Sequence, residues 1–136
     1  TPAGVLAGDG ALVGEDFRAA GMDRARALGL ADRGQAVIAC GAPPQWLEED
    51  QNGTDALIAR AASGDLSAPK PLFKAAKPQQ DLRIDLPAWG PETVLRAANA
   101  GLQALVFEAG ASIALERDSA VDLATRHGLT LIGVDA

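Results

Sequence analysis

The sequence predicts an α/β domain: a mostly parallel or mixed sheet flanked by helices, in a single domain. Three observations carry that expectation. Apolar runs short enough to be strands alternate with longer stretches of helical periodicity. The connections between them are brief, as in chains whose consecutive elements pack side by side. The length of 136 residues, 48% of them hydrophobic, suits one domain with a full core. Aromatic residues make up 4% and tyrosine is absent, so Ala, Leu, Val and Ile must fill most of that core.

The elements follow in order. "TPAGVLAGDGALVG", residues 1–14, is rich in Gly and Ala and reads as a linker or leading arm. "EDFRAAGMDRARALGL" reads as a helix with its acids first and its bases later, as the helix dipole favours, although Gly21 interrupts it. "GQAVIAC" is an apolar run between glycines, the pattern of a buried strand. "GAPPQWLEEDQ" begins as a turn and continues as a weak strand through Trp46 and Leu47. "NGTDALIARAA" opens a helix that Asn52, Thr54 or Asp55 can cap, with Leu57, Ile58 and Ala61 on one face.

"SGDLSAPK" is a loop and "PLFKAA" a strand. In "QDLRIDLP", Leu82, Ile84 and Leu86 alternate with Asp81, Arg83 and Asp85, which predicts an extended segment with its charges on one face. "WGPETVLRAANAGL" is a helix with Pro91 near its first position and a buried stripe of Val94, Leu95, Ala98 and Leu102. "QALVFEA" is a strand, and "GASIALER" a turn or a short strand. "DSAVDLATRHGL" is a helix capped by Asp118 or Ser119 and closed by Gly128, and "TLIGVDA" is the last strand.

Charge and composition narrow the function. A formal net charge of −6 repels nucleic-acid phosphates, so a general nucleic-acid binder is not expected. Cys40 is the single cysteine, which excludes an internal disulfide and a multi-cysteine zinc site. It ends a buried run and reads as a core residue, and His127 reads as structural at a helix C-terminus. No apolar run approaches the roughly 18 residues of a membrane span, and no secretory leader is visible. Glycine-rich phosphate loops, dinucleotide fingerprints and nucleophile elbows are also absent from the sequence.

In α/β sheets ligands bind beyond the carboxyl ends of strands, and two polar segments qualify. In "NGTDA" the free amides of a helix start attract anions, Gly53 permits close approach, Thr54 can donate its hydroxyl and Asp55 can hold a hard cation. The same residues also make a plain helix cap. In "KAAKPQQDLRIDLP", residues 74–87, Lys74 has small neighbours and Pro78 keeps Lys77 out of a helix. Asp81, Arg83 and Asp85 share a face if the segment is extended. They form either a self-neutralised surface ladder or a water- or metal-binding carboxylate beside a phosphate clamp. Glu108 ends a strand and either enters a site or caps a turn.

"KAAKPQQDLRIDLPAWGPETV" resembles the C-terminal domain of the LpxI-type UDP-2,3-diacylglucosamine pyrophosphatases of lipid A biosynthesis. Lys74, Lys77, Pro78, Gln80, Asp81, Arg83, Asp85, Pro87, Gly90 and Thr93 all fit the family's long motif. "GQAV", "GTDA", "VFEAG" and "GLTLIGVD" are similar to further family segments in the family's order, so residues 15–136 correspond to an LpxI-type C-terminal catalytic domain. Asn52 stands where the family usually carries a glutamate, and "GAPPQWLEED" replaces a more apolar strand.

The resemblance implies a cytoplasmic, Mg2+-dependent hydrolase that attacks the α-phosphorus of UDP-2,3-diacylglucosamine, yielding UMP and 2,3-diacylglucosamine 1-phosphate (lipid X). It implies that Asp81 handles metal or water with Asp55 as a second metal ligand. Lys77 would act beside Asp81 in catalysis. Lys74, Lys77 and Arg83 would neutralise the diphosphate; Gly53, Thr54 and Gln80 would bind substrate; Asp85 would hold Arg83. It also implies an N-terminal partner domain missing from this chain, little activity from this chain alone, and peripheral contact with the inner membrane of a Gram-negative bacterium. The alternative is a non-catalytic phosphate or nucleotide-sugar binding module, or a fragment that forms a homodimer through an exposed interface.

Overall fold

A computed structural model of the chain describes residues 1–31, 33–41, 45–62, 70–76 and 88–135. It is a three-layer α/β structure. The strands are β1 (Gly4–Ala7), β2 (Ala36–Cys40), β3 (Gln45–Glu48), β4 (Pro71–Lys74), β5 (Ala88–Trp89), β6 (Ala104–Glu108), β7 (Ile113–Ala114) and β8 (Thr130–Val134). The helices are α1 (Glu15–Leu30), α2 (Gly53–Ala62), α3 (Pro91–Asn99) and α4 (Arg117–His127). A six-stranded sheet runs in the order β1-β8-β6-β4-β2-β3, and β5 pairs with β7 in a small second sheet.

The sheet is mixed. Strands β4, β6 and β8 are parallel, and β1, β2 and β3 flank them through antiparallel pairings. A largely parallel sheet is therefore found only at its centre. Residues 1–14, read as an arm, include β1, which pairs antiparallel with β8 at the sheet's edge. The strand is short and begins with a glycine at φ +103°, so it lacks the alternation by which a strand shows itself in sequence.

Strand alternation divides the core. Leu72, Leu105, Phe107 and Leu131 point to one face with Leu57, Ile58 and Ala61 of α2, Val94 and Ala97 of α3, and Ala120 and Ala124 of α4. Val37, Phe73, Val106 and Ile132 point to the other with Met22, Ala25 and Leu28 of α1. Each fully buried side chain of this size contributes about 1.5–3 kcal/mol of transfer free energy. Gly21 interrupts the α1 pattern for a packing reason: a Cβ there would overlap the Phe73 ring. The helix thus sits close to the sheet, and Phe73, Phe17 and Trp46 form an aromatic cluster with centroids 5.7–5.9 Å apart.

The charged stretch at 77–87 lies outside the described residues. The residues on either side of it pack into the core. Ala75 is buried before it, and Trp89 is buried after it, stacked on Phe107 at 4.8 Å with the rings 5° from parallel. In α3, Pro91 takes the first turn and the Thr93 hydroxyl accepts the Gly90 N–H at 3.2 Å. No helix among the described residues is long and apolar enough to cross a membrane.

Candidate functional site

Strand directions gather chemistry at one edge. Since β3 and β2 are antiparallel and so are β2 and β4, β3 runs with the parallel core. The carboxyl ends of β3, β4, β6 and β8 therefore share an edge, and Glu49, Lys74, Glu108 and Asp135 lie at or just beyond those ends. Helix α2 begins at this edge, placing Gly53, Thr54 and Asp55 beside the end of β4.

Lys74, Thr54 and Glu49 form a hydrogen-bonded relay. The Lys74 ammonium donates to Thr54 Oγ1 at 3.3 Å, and the Thr54 hydroxyl donates to Glu49 Oε2 at 3.1 Å. The Gln35 backbone N–H donates to the same Glu49 oxygen at 3.2 Å, tying the relay to the start of β2. Thr54 is thus not the simple cap that its position suggests; its hydroxyl couples a cation to a carboxylate. The turn before it is closed by Asp50, whose side chain accepts the Asn52 N–H at 2.9 Å and whose carbonyl accepts the Gly53 N–H at 3.0 Å.

The electrostatics of Lys74 set it apart. Its pKa is lowered from the ordinary 10.5, chiefly because burial strips water from the ammonium, with the attraction of Glu49 and then Asp55 opposing the shift. The positive end of α2 is also close by, which disfavours a cation further. An incoming anion would reverse all of this: it would restore solvation-like contacts to the ammonium and meet a helix N-terminus with free amides. Gly53 adopts φ +89°, and a side chain at that position would point into open space, so the α2 amides are approachable.

Asp55 is exposed, with 69% of its side chain accessible, and stands 3.9 Å from Arg96 Nε of α3. Its carboxylate faces the edge electrostatically without touching the relay. Among the described residues there is no group of three or more His, Cys, Asp or Glu side chains able to hold a metal ion. The edge does offer hard oxygen donors of the kind Mg2+ prefers: the Asp55 and Glu49 carboxylates and the Thr54 hydroxyl. The other site residues expected from the sequence, Lys77, Gln80, Asp81, Arg83 and Asp85, lie outside the described residues. They follow Lys74 directly in the chain, after Ala75 and Ala76.

Glu49 was not singled out from the sequence, where it is hidden in the acidic run Glu48, Glu49, Asp50. Alternation would have found it. Leu47 packs toward the α2 face while Trp46 packs toward the α1 face. Two residues on from Leu47, Glu49 returns to the α2 face, where Thr54 waits.

Fold and edge together define an α/β domain whose polar chemistry converges on the carboxyl ends of its parallel strands. The chain belongs to the LpxI C-terminal domain family, whose model matches residues 11–132. It is similar to a protein of Caulobacter vibrioides named UDP-2,3-diacylglucosamine pyrophosphatase LpxI, at 38% identity over 125 residues. The match covers 84% of this chain and 43% of that relative, so the chain spans less than half of the relative's length.

Proposed function

We propose that this domain supplies the phosphate-handling part of a UDP-2,3-diacylglucosamine hydrolase, forming UMP and 2,3-diacylglucosamine 1-phosphate. The observation that carries the reading is the Lys74–Thr54–Glu49 relay at the start of α2, immediately ahead of the Lys77–Asp85 motif of the family. A cation kept below its ordinary pKa at a strand end is a costly arrangement without an anionic partner.

In this mechanism the diphosphate lies against Lys74, the Thr54 hydroxyl and the amides after Gly53, with Lys77 and Arg83 completing its neutralisation and Gln80 contacting the substrate. Asp81 orients the attacking water and takes its proton. The water oxygen bonds to the α-phosphorus as the bond to the bridging oxygen breaks. That oxygen leaves on the sugar 1-phosphate, and the water oxygen stays on UMP. Asp85 holds Arg83 in place. Mg2+, held by Asp55 and Asp81, would supply charge neutralisation of the diphosphate when bound. Alignment and charge stabilisation account for most of the rate in this chemistry, which is why cations and a hydroxyl suffice without a covalent nucleophile.

The test is hydrolysis by the full gene product of UDP-2,3-diacylglucosamine in 18O-labelled water with Mg2+. The expected result is UMP carrying the label and unlabelled sugar phosphate, with loss of turnover on Asp81→Ala. Label in the sugar phosphate would place the attack on the other phosphorus. A ligand-induced rise in melting temperature without UMP would instead indicate a binding module.

A further inference from the structure

The two residues that end β6 hold the two flanks of the 77–87 segment from opposite faces of the sheet. Phe107, on the α2–α4 face, stacks on Trp89 where the described chain resumes. Glu108, on the α1 face, accepts the backbone N–H of Ala76 at Oε2, 2.9 Å away, where the described chain leaves off. The Glu108 side chain is only 9% exposed, and its other oxygen faces Arg26 Nη2 of α1 at 3.6 Å. That Arg26 nitrogen is buried and has no hydrogen-bond partner among the described residues. A buried carboxylate is expensive unless a cation and a donor meet it, and here α1 brings the cation and the β4 exit brings the donor.

Glu108 and Lys74 therefore grip the same exit from β4. Lys74 points to the α2 face and enters the relay; two residues later the main chain at Ala76 is fixed from the α1 face. Lys77 is the next residue. We infer that Glu108, braced by Arg26, is a positioning residue that sets the starting point of the Lys77–Asp85 motif by holding the Ala76 N–H. The inference rests on the hydrolase reading for its effect on turnover, while the anchor itself is independent of it. Catalytic groups misplaced by about 1 Å lose on the order of 100-fold in rate, so a single backbone bond at this point has leverage on the chemistry.

The experiment uses the full gene product with Glu108→Ala, Glu108→Gln and Arg26→Met, and reads two quantities. The first is amide exchange at Ala76. Glu108→Ala should speed it by about tenfold or more, the scale of one lost hydrogen bond to a charged acceptor, and Glu108→Gln, which keeps a side-chain oxygen, should largely restore it. The second is UMP release at a temperature where all variants are folded. Glu108→Ala should lower kcat by about 10- to 100-fold with KM nearly unchanged, Glu108→Gln should recover most of the loss, and Arg26→Met should fall between them. Unchanged Ala76 exchange in Glu108→Ala overturns the anchor. Faster exchange with unaltered kcat overturns the positioning role and leaves Glu108 a structural cap. An inert wild type would remove the hydrolase reading and with it the positioning role, and Ala76 exchange would still decide whether the anchor exists.

Discussion

Two lysines bracket β4, and they are placed in opposite fields. Lys70, just before the strand, is fully buried and donates to the Ala61 carbonyl at 3.1 Å, in the last turn of α2. Lys74, at the strand's end, lies beside the first turn of the same helix. A helix C-terminus welcomes a cation and an N-terminus repels one. Lys70 is therefore a cap whose charge the fold uses. Lys74 is a charge the fold carries against its own preference, with Glu49 and Asp55 only partly compensating. The difference separates a residue that stabilises the domain from one that, on the proposed function, is held ready for an anion.

Exchanging each lysine for methionine should break the comparison most sharply. Lys74→Met is expected to lower kcat/KM of the full gene product by about 100- to 1,000-fold, the scale of a lost charge-stabilising contact, while the melting temperature holds or rises. A matching fall in melting temperature would make Lys74 structural. Lys70→Met should do the reverse. Stability should drop by about 1–3 kcal/mol as the Ala61 carbonyl loses its donor, and activity per folded molecule should stay within about twofold. Denaturant titration beside single-temperature kinetics reads both.

pH sharpens the same contrast. Below its lowered folded-state pKa, Lys74 is charged in both states and the burial penalty is fully present. Between that pKa and 10.5 the unfolded chain keeps a proton that the folded chain has released, so this group makes stability rise with pH across that window. Anion binding changes in the opposite sense, because the cation is lost as pH climbs through the folded pKa. Glu49→Gln removes the larger of the two attractions and should move the alkaline limb of kcat/KM to lower pH. A limb that stays in place would remove Glu49 from the relay. The smallest expected effect is at the helix start. Gly53→Ala forces a side chain to φ +89° and should cost about 1–2 kcal/mol, measurable by thermal melting.

Much of this was legible in the residues. The helices showed by their helical pattern and end signals and the central strands as short apolar runs, and Lys74, Thr54 and Gly53 were marked by their place at a strand end and a helix start. The antiparallel flanks were not legible, because strand direction depends on partners far along the chain. β1 was hidden for a related reason: its hydrogen bonds are made with β8, more than a hundred residues away. Glu49 was hidden differently, and Glu108, visible as an acid at a strand end, left open whether it enters a site or caps a turn. Each is an ordinary carboxylate in sequence, and only the alternation of Leu47 with Glu49, and of Ala104, Val106 and Glu108, shows which face each reaches. Gly21 looked like a helix defect until the Phe73 ring beneath it supplied the reason.

The most direct measurement of the central claim is the titration of the Lys74 ammonium itself, by NMR of isotopically labelled lysine, with and without uridine diphosphate as the probe. The account predicts a pKa below 10.5 in the free protein, moving up when the diphosphate binds. A free-protein value at or above 10.5, or one that does not respond to the diphosphate, would contradict it.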